Sequence, residues 1–214
     1  MKTAFIELMQ AGGVLKFGEF KTKSGRLSPY FFNAGEYKTG AQLSMLSAYY
    51  AALIYETVGE SFDAVFGPAY KGIPLAVNAA AKLYEKYGID KPFLFNRKEI
   101  KDHGEGGNIV GYQLKDGDRI IVTEDVISAG TAVREFMPVL LSNAKVAVKD
   151  MFVSLDRSEF GSDMETIARE EIKKSFGITV HSIINVKDIY DYLKGKDAIS
   201  AVKMKEYMDK YCII

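Results

Sequence analysis

Disulfides are the first thing the chain cannot have. Its one cysteine, Cys212, has no internal partner, which fits a reducing compartment and leads us to expect a cytoplasmic protein. Excess charge is also missing. Basic and acidic residues number 28 each, so the formal net charge is zero. That argues against a dedicated nucleic-acid surface. No apolar run approaches the ~18 residues of a membrane span, so no membrane partner is expected. The opening residues carry Glu7 where a secretory leader would be apolar. There is no internal repeat, low-complexity tract or linker, and no His/Cys cluster that would hold a metal. What remains is 214 residues, 48% hydrophobic and 26% charged, enough for a single α/β domain over 1–214.

The most informative stretch is 120–132. Its first half is apolar and β-branched, and follows the turn signal Asp116-Gly117, so it reads as a short buried strand. Glu124 and Asp125 are expected where that strand ends. The small-residue loop Ser128-Ala129-Gly130-Thr131 follows, then a helix over 132–141. Loop residues this small leave backbone N–H groups free to close around a phosphate, aided by the positive end of the helix. Ser128 and Thr131 add hydroxyls. An acid pair beside a phosphate site can accept hydrogen bonds from ribose hydroxyls or stabilise positive charge on a sugar ring. Alone, such a pair reads rather as an exposed structural feature, and it is the whole string that favours the site.

The string Thr123-Glu124-Asp125-Val126-Ile127-Ser128-Ala129-Gly130-Thr131-Ala132 resembles the phosphoribosyl-pyrophosphate (PRPP) signature of type I phosphoribosyltransferases. Glu124 stands where Asp is common and Ser128 where Thr is common. Both keep the chemistry. The resemblance implies an α/β fold with a central, mostly parallel sheet flanked by helices, and implies that residues 124–132 bind PRPP.

Elsewhere the pattern predicts helices over 3–11, with Thr3 as N-cap, 41–57, 73–87, 164–176, 188–193 and 198–211. Strands are expected over 14–21, 28–33, 63–66, 92–96, 150–155 and 178–186. Tyr49, Tyr50 and Tyr55 read as packing or interface residues, and His181 as structural. The spacing Gly67-x4-Gly72 invites a P-loop reading, which fails because Ile73 and Pro74 stand where Lys and Ser/Thr are needed. A tight loop with one lysine remains, Lys71, suited to a pyrophosphate.

The aromatic run Tyr30-Phe31-Phe32 fits either a core hairpin or a hood of rings stacked on a planar base. Together with Phe17-Gly18-Glu19-Phe20 and Lys23-Ser24-Gly25-Arg26, it resembles the N-terminal segment of orotate phosphoribosyltransferases, a hood mainly over 1–36. The resemblance implies PRPP contacts for Lys23, Tyr70 and Lys71. It implies orotate contacts for Phe31, Phe32, Ser128 and Arg157. By itself Arg157 could be a surface residue paired with Asp156.

The segment Arg97-Lys98-Glu99-Ile100-Lys101-Asp102-His103-Gly104 lacks apolar periodicity, and a mobile loop is expected over about 98–108. It matches the family's catalytic lid. Arg97, Lys98, Lys101 and His103 would then reach the pyrophosphate leaving group, with Lys101, His103, Glu124 and Asp125 as the catalytic set. The resemblance further implies transfer of ribose 5-phosphate from PRPP to orotate, Mg²⁺ carried mainly by substrate and water, and a homodimer with shared active sites. Two alternatives stay open at this point: a phosphoribosyltransferase for another base, and a non-catalytic PRPP-sensing regulator.

Overall fold

The computed structural model describes residues 1–22, 25–101, 107–127, 131–160 and 165–213, with backbone alone at 100, 101 and 107. Two strands, β1 (Leu15–Lys21) and β2 (Leu27–Phe32), form an antiparallel ribbon after the first helix, α1 (Lys2–Ala11). Helix α2 (Gly40–Val58) leads to the central strand β3 (Ala64–Gly67). Next come α3 (Gly72–Tyr87), β4 (Phe93–Lys101), β5 (Gly107–Gly111) and β6 (Arg119–Ile127). Helix α4 (Thr131–Asn143), β7 (Ala147–Asp156), α5 (Ala168–Phe176) and β8 (Thr179–Asn185) complete the sheet. Helices α6 (Val186–Lys194) and α7 (Ala198–Tyr211) close the chain.

The six-stranded sheet runs β5-β4-β3-β6-β7-β8. All its pairs are parallel except β4 with β5, an antiparallel edge. The order carries a functional consequence. From β3 the chain steps through α3 to β4 on one side. On the other side β6, β7 and β8 follow in turn. The reversal falls between β3 and β6, so the crevice at their carboxyl ends is where an open α/β sheet binds ligands.

Both sheet faces are apolar, which is why the parallel strands read as unbroken hydrophobic runs. Val65, Ile121 and Phe152 face one cluster, with α2, α3, α6 and α7. Their neighbours Phe66, Val122 and Val153 face a second, with Val133 and Phe136 of α4 and Ile172 of α5. Phe5, Met9, Leu15 and Tyr30 belong to the first cluster. The N-terminal ribbon and α1 therefore share the main core.

Several element ends differ from expectation. Helix α1 begins at Lys2 with Met1 as its cap, and no side chain caps it, so Thr3 lies inside the helix. Strand β6 does not stop at the acid pair. It pairs with β7 through Ile127↔Asp156, which puts Glu124 and Asp125 inside a strand. The segment expected as a loop is also more ordered at its start and end. Strand β4 runs on to Lys101 and pairs with β5, as in Asn96↔Ile109 and Lys101↔Gly107. Backbone pairing needs no apolar pattern, so periodicity could not reveal it.

Candidate active site

A loop that follows β3 flanks the crevice between β3 and β6, and its two glycines are explained by close backbone approach rather than by phosphate cradling. A Cβ on Gly67 would lie 2.1 Å from the Gly72 carbonyl oxygen. One on Gly72 would lie 2.6 Å from Pro68 Cδ and 2.9 Å from the Thr123 carbonyl oxygen. These contacts fold the loop tightly against β6. The Ala69–Tyr70 peptide is cis. The Ala69 N–H donates to Asn96 Oδ1 at 2.9 Å, tying the loop to β4.

That geometry carries Lys71 across the crevice. Its Nζ donates to Asp125 Oδ2 at 3.0 Å. Lys71 is half exposed while Asp125 is buried. Asp125 Oδ1 accepts from the Val126 N–H at 2.8 Å, and Glu124 Oε1 accepts from the Asp125 N–H at 2.9 Å. Both carboxylates are thus held by backbone donors of their own strand. Burial, and then the neighbouring Asp125 charge, push the Glu124 carboxyl up to about 8. A carboxyl that ionises as reluctantly as Glu124 is poised to meet positive charge or hydroxyl donors.

Beneath the pair lies a support that the sequence did not disclose. Tyr50 of α2 is buried and donates its hydroxyl to the Glu124 carbonyl at 2.6 Å. The same hydroxyl sits 2.9 Å from Ser154 Oγ on β7. Burial raises the Tyr50 pKa, so the hydroxyl keeps its proton and remains a donor. The reading of Tyr50 as mere packing is therefore incomplete. No local signal links residues 50, 124 and 154.

A cavity of about 390 Å³ opens beside the acid pair. Glu124, Ala132, Arg97, Lys98 and the Pro68-Ala69 turn line it. Residues picked from three separate motifs thus meet at one opening. Tyr70 is exposed, with Lys98 Nζ 5.2 Å above its ring. Thr131 is the first residue of α4, which puts it at a helix N-terminus. Ile127 is buried in the second core cluster, which limits its part in the site to its backbone. Lys23, His103, Ser128, Ala129 and Gly130, and the side chain of Lys101, lie outside the described residues.

Arg157 follows the end of β7, one residue beyond Asp156, which pairs with Ile127 of β6. It does not pair with Asp156. Asp156 Oδ2 accepts instead from Arg169 Nη1 at 2.6 Å, and its Oδ1 from the Ser158 N–H at 2.7 Å. Arg157 lies 5.1 Å from the Tyr30 ring centre, which puts β2 beside the end of β7. Phe31 and Phe32 are adjacent in that strand, so their side chains point to opposite faces. Phe31 is exposed and stacks on Phe20 at 5.4 Å. Phe32 packs against the main core. Of the two rings expected to meet the base, Phe31 is the one on the open face. His181 is structural as expected, 2.8 Å from Asp150 Oδ1 and stacked on Phe152.

A PRPP-type signature at a switch-point crevice, with a lysine bridging to its acid pair, defines a class of sugar-phosphate enzyme. The phosphoribosyl transferase domain model matches residues 33–181. By sequence and fold the chain belongs to the phosphoribosyltransferase family. Within it, the likeness is to the orotate branch over nearly the whole chain. The orotate phosphoribosyltransferase of Clostridium acetobutylicum is 47% identical over 214 residues, covering 98% of this chain and 95% of the relative. That of Shigella dysenteriae is 46% identical, covering 97% and 96%. The crystal structure of the Francisella tularensis enzyme superposes with a TM-score of 0.88 at 40% identity, covering 98% of this chain and all of that one.

Proposed function

We propose that this protein transfers the ribose 5-phosphate group of PRPP to orotate, giving orotidine 5′-phosphate and pyrophosphate in de novo pyrimidine synthesis. The observation that carries the reading is the Lys71–Asp125 contact beside Glu124 at the β3–β6 crevice. A bond forms between an orotate ring nitrogen and the anomeric carbon. The carbon–oxygen bond to pyrophosphate breaks, pyrophosphate leaves with the electron pair, and the proton of the ring nitrogen passes to the pyrophosphate or to solvent. Orotate is itself the nucleophile, so the protein need supply none.

Glu124 and Asp125 hold the ribose hydroxyls and face the charge that develops on the sugar ring. The 128–131 loop and the start of α4 anchor the 5′-phosphate and fix the ring. On PRPP binding, Lys71 exchanges Asp125 for pyrophosphate oxygens, joined by Arg97, Lys98, Lys101 and His103. Arg157 pairs with the orotate carboxylate, a task suited to a guanidinium fork. Phe31 offers its exposed ring to the base.

Among the described residues no group of three or more His, Cys, Asp or Glu could hold a metal ion. That donor set fits Mg²⁺ carried mainly by substrate oxygens and water, with one or two carboxylates nearby. Bound there, Mg²⁺ would neutralise charge on the leaving group. The functional unit is a homodimer in which the lid of one subunit completes its neighbour's site. No helix of the described residues is long and apolar enough to cross a membrane. We place the protein in the cytoplasm.

The test offers orotate, uracil, adenine and hypoxanthine in turn, with PRPP and Mg²⁺, and follows nucleotide formation. Orotate alone should be converted efficiently. Efficient use of a purine in place of orotate would refute the assignment.

A further inference from the structure

Immediately after Arg157, the chain makes a turn whose purpose lies in what it brings back. Ser158 has φ +49°, a left-handed conformation that costs a non-glycine residue free energy. It is buried, its N–H is held by Asp156 Oδ1, and its carbonyl accepts from the Ile213 N–H at 2.9 Å. The turn returns Glu159 to Arg157. Arg157 Nε donates to Glu159 Oε1 at 2.9 Å, and Nη2 lies 2.7 Å from the same oxygen. Tyr207 of α7 donates its hydroxyl to that oxygen at 2.6 Å, and Arg157 Nη2 reaches the Tyr207 hydroxyl at 3.5 Å. Arg26 Nη1 stands 3.8 Å from the second carboxylate oxygen, Oε2. Three donors thus converge on one oxygen, in a site where both Arg157 and Glu159 are four-fifths buried.

We propose that Glu159, locked by Tyr207, is a positioning residue that sets the orotate affinity of Arg157. The proposal rests on Arg157 receiving the orotate carboxylate. A long arginine side chain has several rotamers, and holding one costs entropy. The clamp meets that cost before substrate arrives. It grips the Nε–Nη2 edge of the guanidinium. Among the described residues nothing hydrogen-bonds Nη1, which is left for an incoming carboxylate. The strained turn and the C-terminal helix thereby act on base binding without touching the base.

The test is steady-state kinetics with each substrate varied separately. For Glu159→Ala, KM for orotate should rise about tenfold, with KM for PRPP shifting by less than about twofold, as expected for loss of a charge-assisted hydrogen bond. Tyr207→Phe keeps the ring and removes only the hydroxyl, so it should fold, and it should raise the orotate KM about threefold. In an Arg157→Ala background, Glu159→Ala should add nothing. An orotate KM that falls would make Glu159 a competitor of orotate and overturn the proposal. So would an unchanged orotate KM in both single variants. Arg157→Ala separates the two levels. If it leaves the orotate KM unchanged, the base-site reading itself fails. If it raises that KM while Glu159→Ala and Tyr207→Phe do not, only the clamp fails.

Discussion

Two of the proposed roles can be tested at the level of single residues. In the proposed function Arg157 sets base choice. Arg157→Ala should impair orotate use far more than PRPP binding, by ~2–4 kcal/mol in kcat/KM for orotate, because a charge is left without its partner. An unchanged value would remove Arg157 from the base site. In the same proposal Asp125 serves turnover. Asp125→Asn should keep the fold and lower kcat by roughly two to three orders of magnitude, the scale of losing one preorganised electrostatic group. Near-normal kcat at saturating PRPP would make the acid pair structural. Glu124 offers a test in the ligand-free protein. Its carboxyl, ordinarily at 4.5, is raised to about 8 in the folded chain by burial and by Asp125. Between those values the folded state holds a proton that the unfolded state has lost. The contribution to stability is therefore full at low pH and disappears as pH rises through about 8. Denaturant unfolding at pH 5 and pH 8 should show wild type losing stability relative to Glu124→Gln. Parallel profiles would mean that Glu124 ionises normally.

Elements decide how these residues meet. Much of this was legible in the sequence. Acids followed by small residues between a buried run and a helix identified the β6–α4 unit, and the apolar periodicity of 198–211 matched α7 at both ends. What escaped was long-range. Tyr50 supports Glu124 from another element, and Asn96 anchors the loop that holds Lys71. Neither contact leaves a local pattern. Glu159 was the nearest miss, since an acid two residues after a site arginine is visible in the chain. Its approach depends on the left-handed Ser158, which propensity does not foretell. The strand pairing at the ends of the stretch expected as a loop was not legible either, because β4 and β5 pair through backbone. Hydrogen exchange can separate these parts. The paired segments around Asn96↔Ile109 should be protected without ligand, and residues 102–106 should gain protection when PRPP and Mg²⁺ bind. Equal exchange with and without ligand would count against a closing lid.

For the molecule as a whole, one core carries both the ribbon and the sheet, and the crevice opens where the strand order reverses. The remaining claim at this scale is a site completed by a second subunit. Mixing Lys101→Ala with Asp125→Asn and allowing exchange tests it. If the lid acts on the neighbour, each mixed dimer holds one intact site. Random pairing then restores about a quarter of wild-type activity. A mixture that exchanges subunits and stays inactive would show the lid closing over its own chain. The central claim is the reaction itself, and its most direct measurement is paired. Pyrophosphate release from PRPP and loss of orotate absorbance are followed in one reaction with Mg²⁺. The account predicts one pyrophosphate per orotate consumed, and none without orotate. Pyrophosphate released at the same rate without orotate, or no orotate consumed, would contradict it.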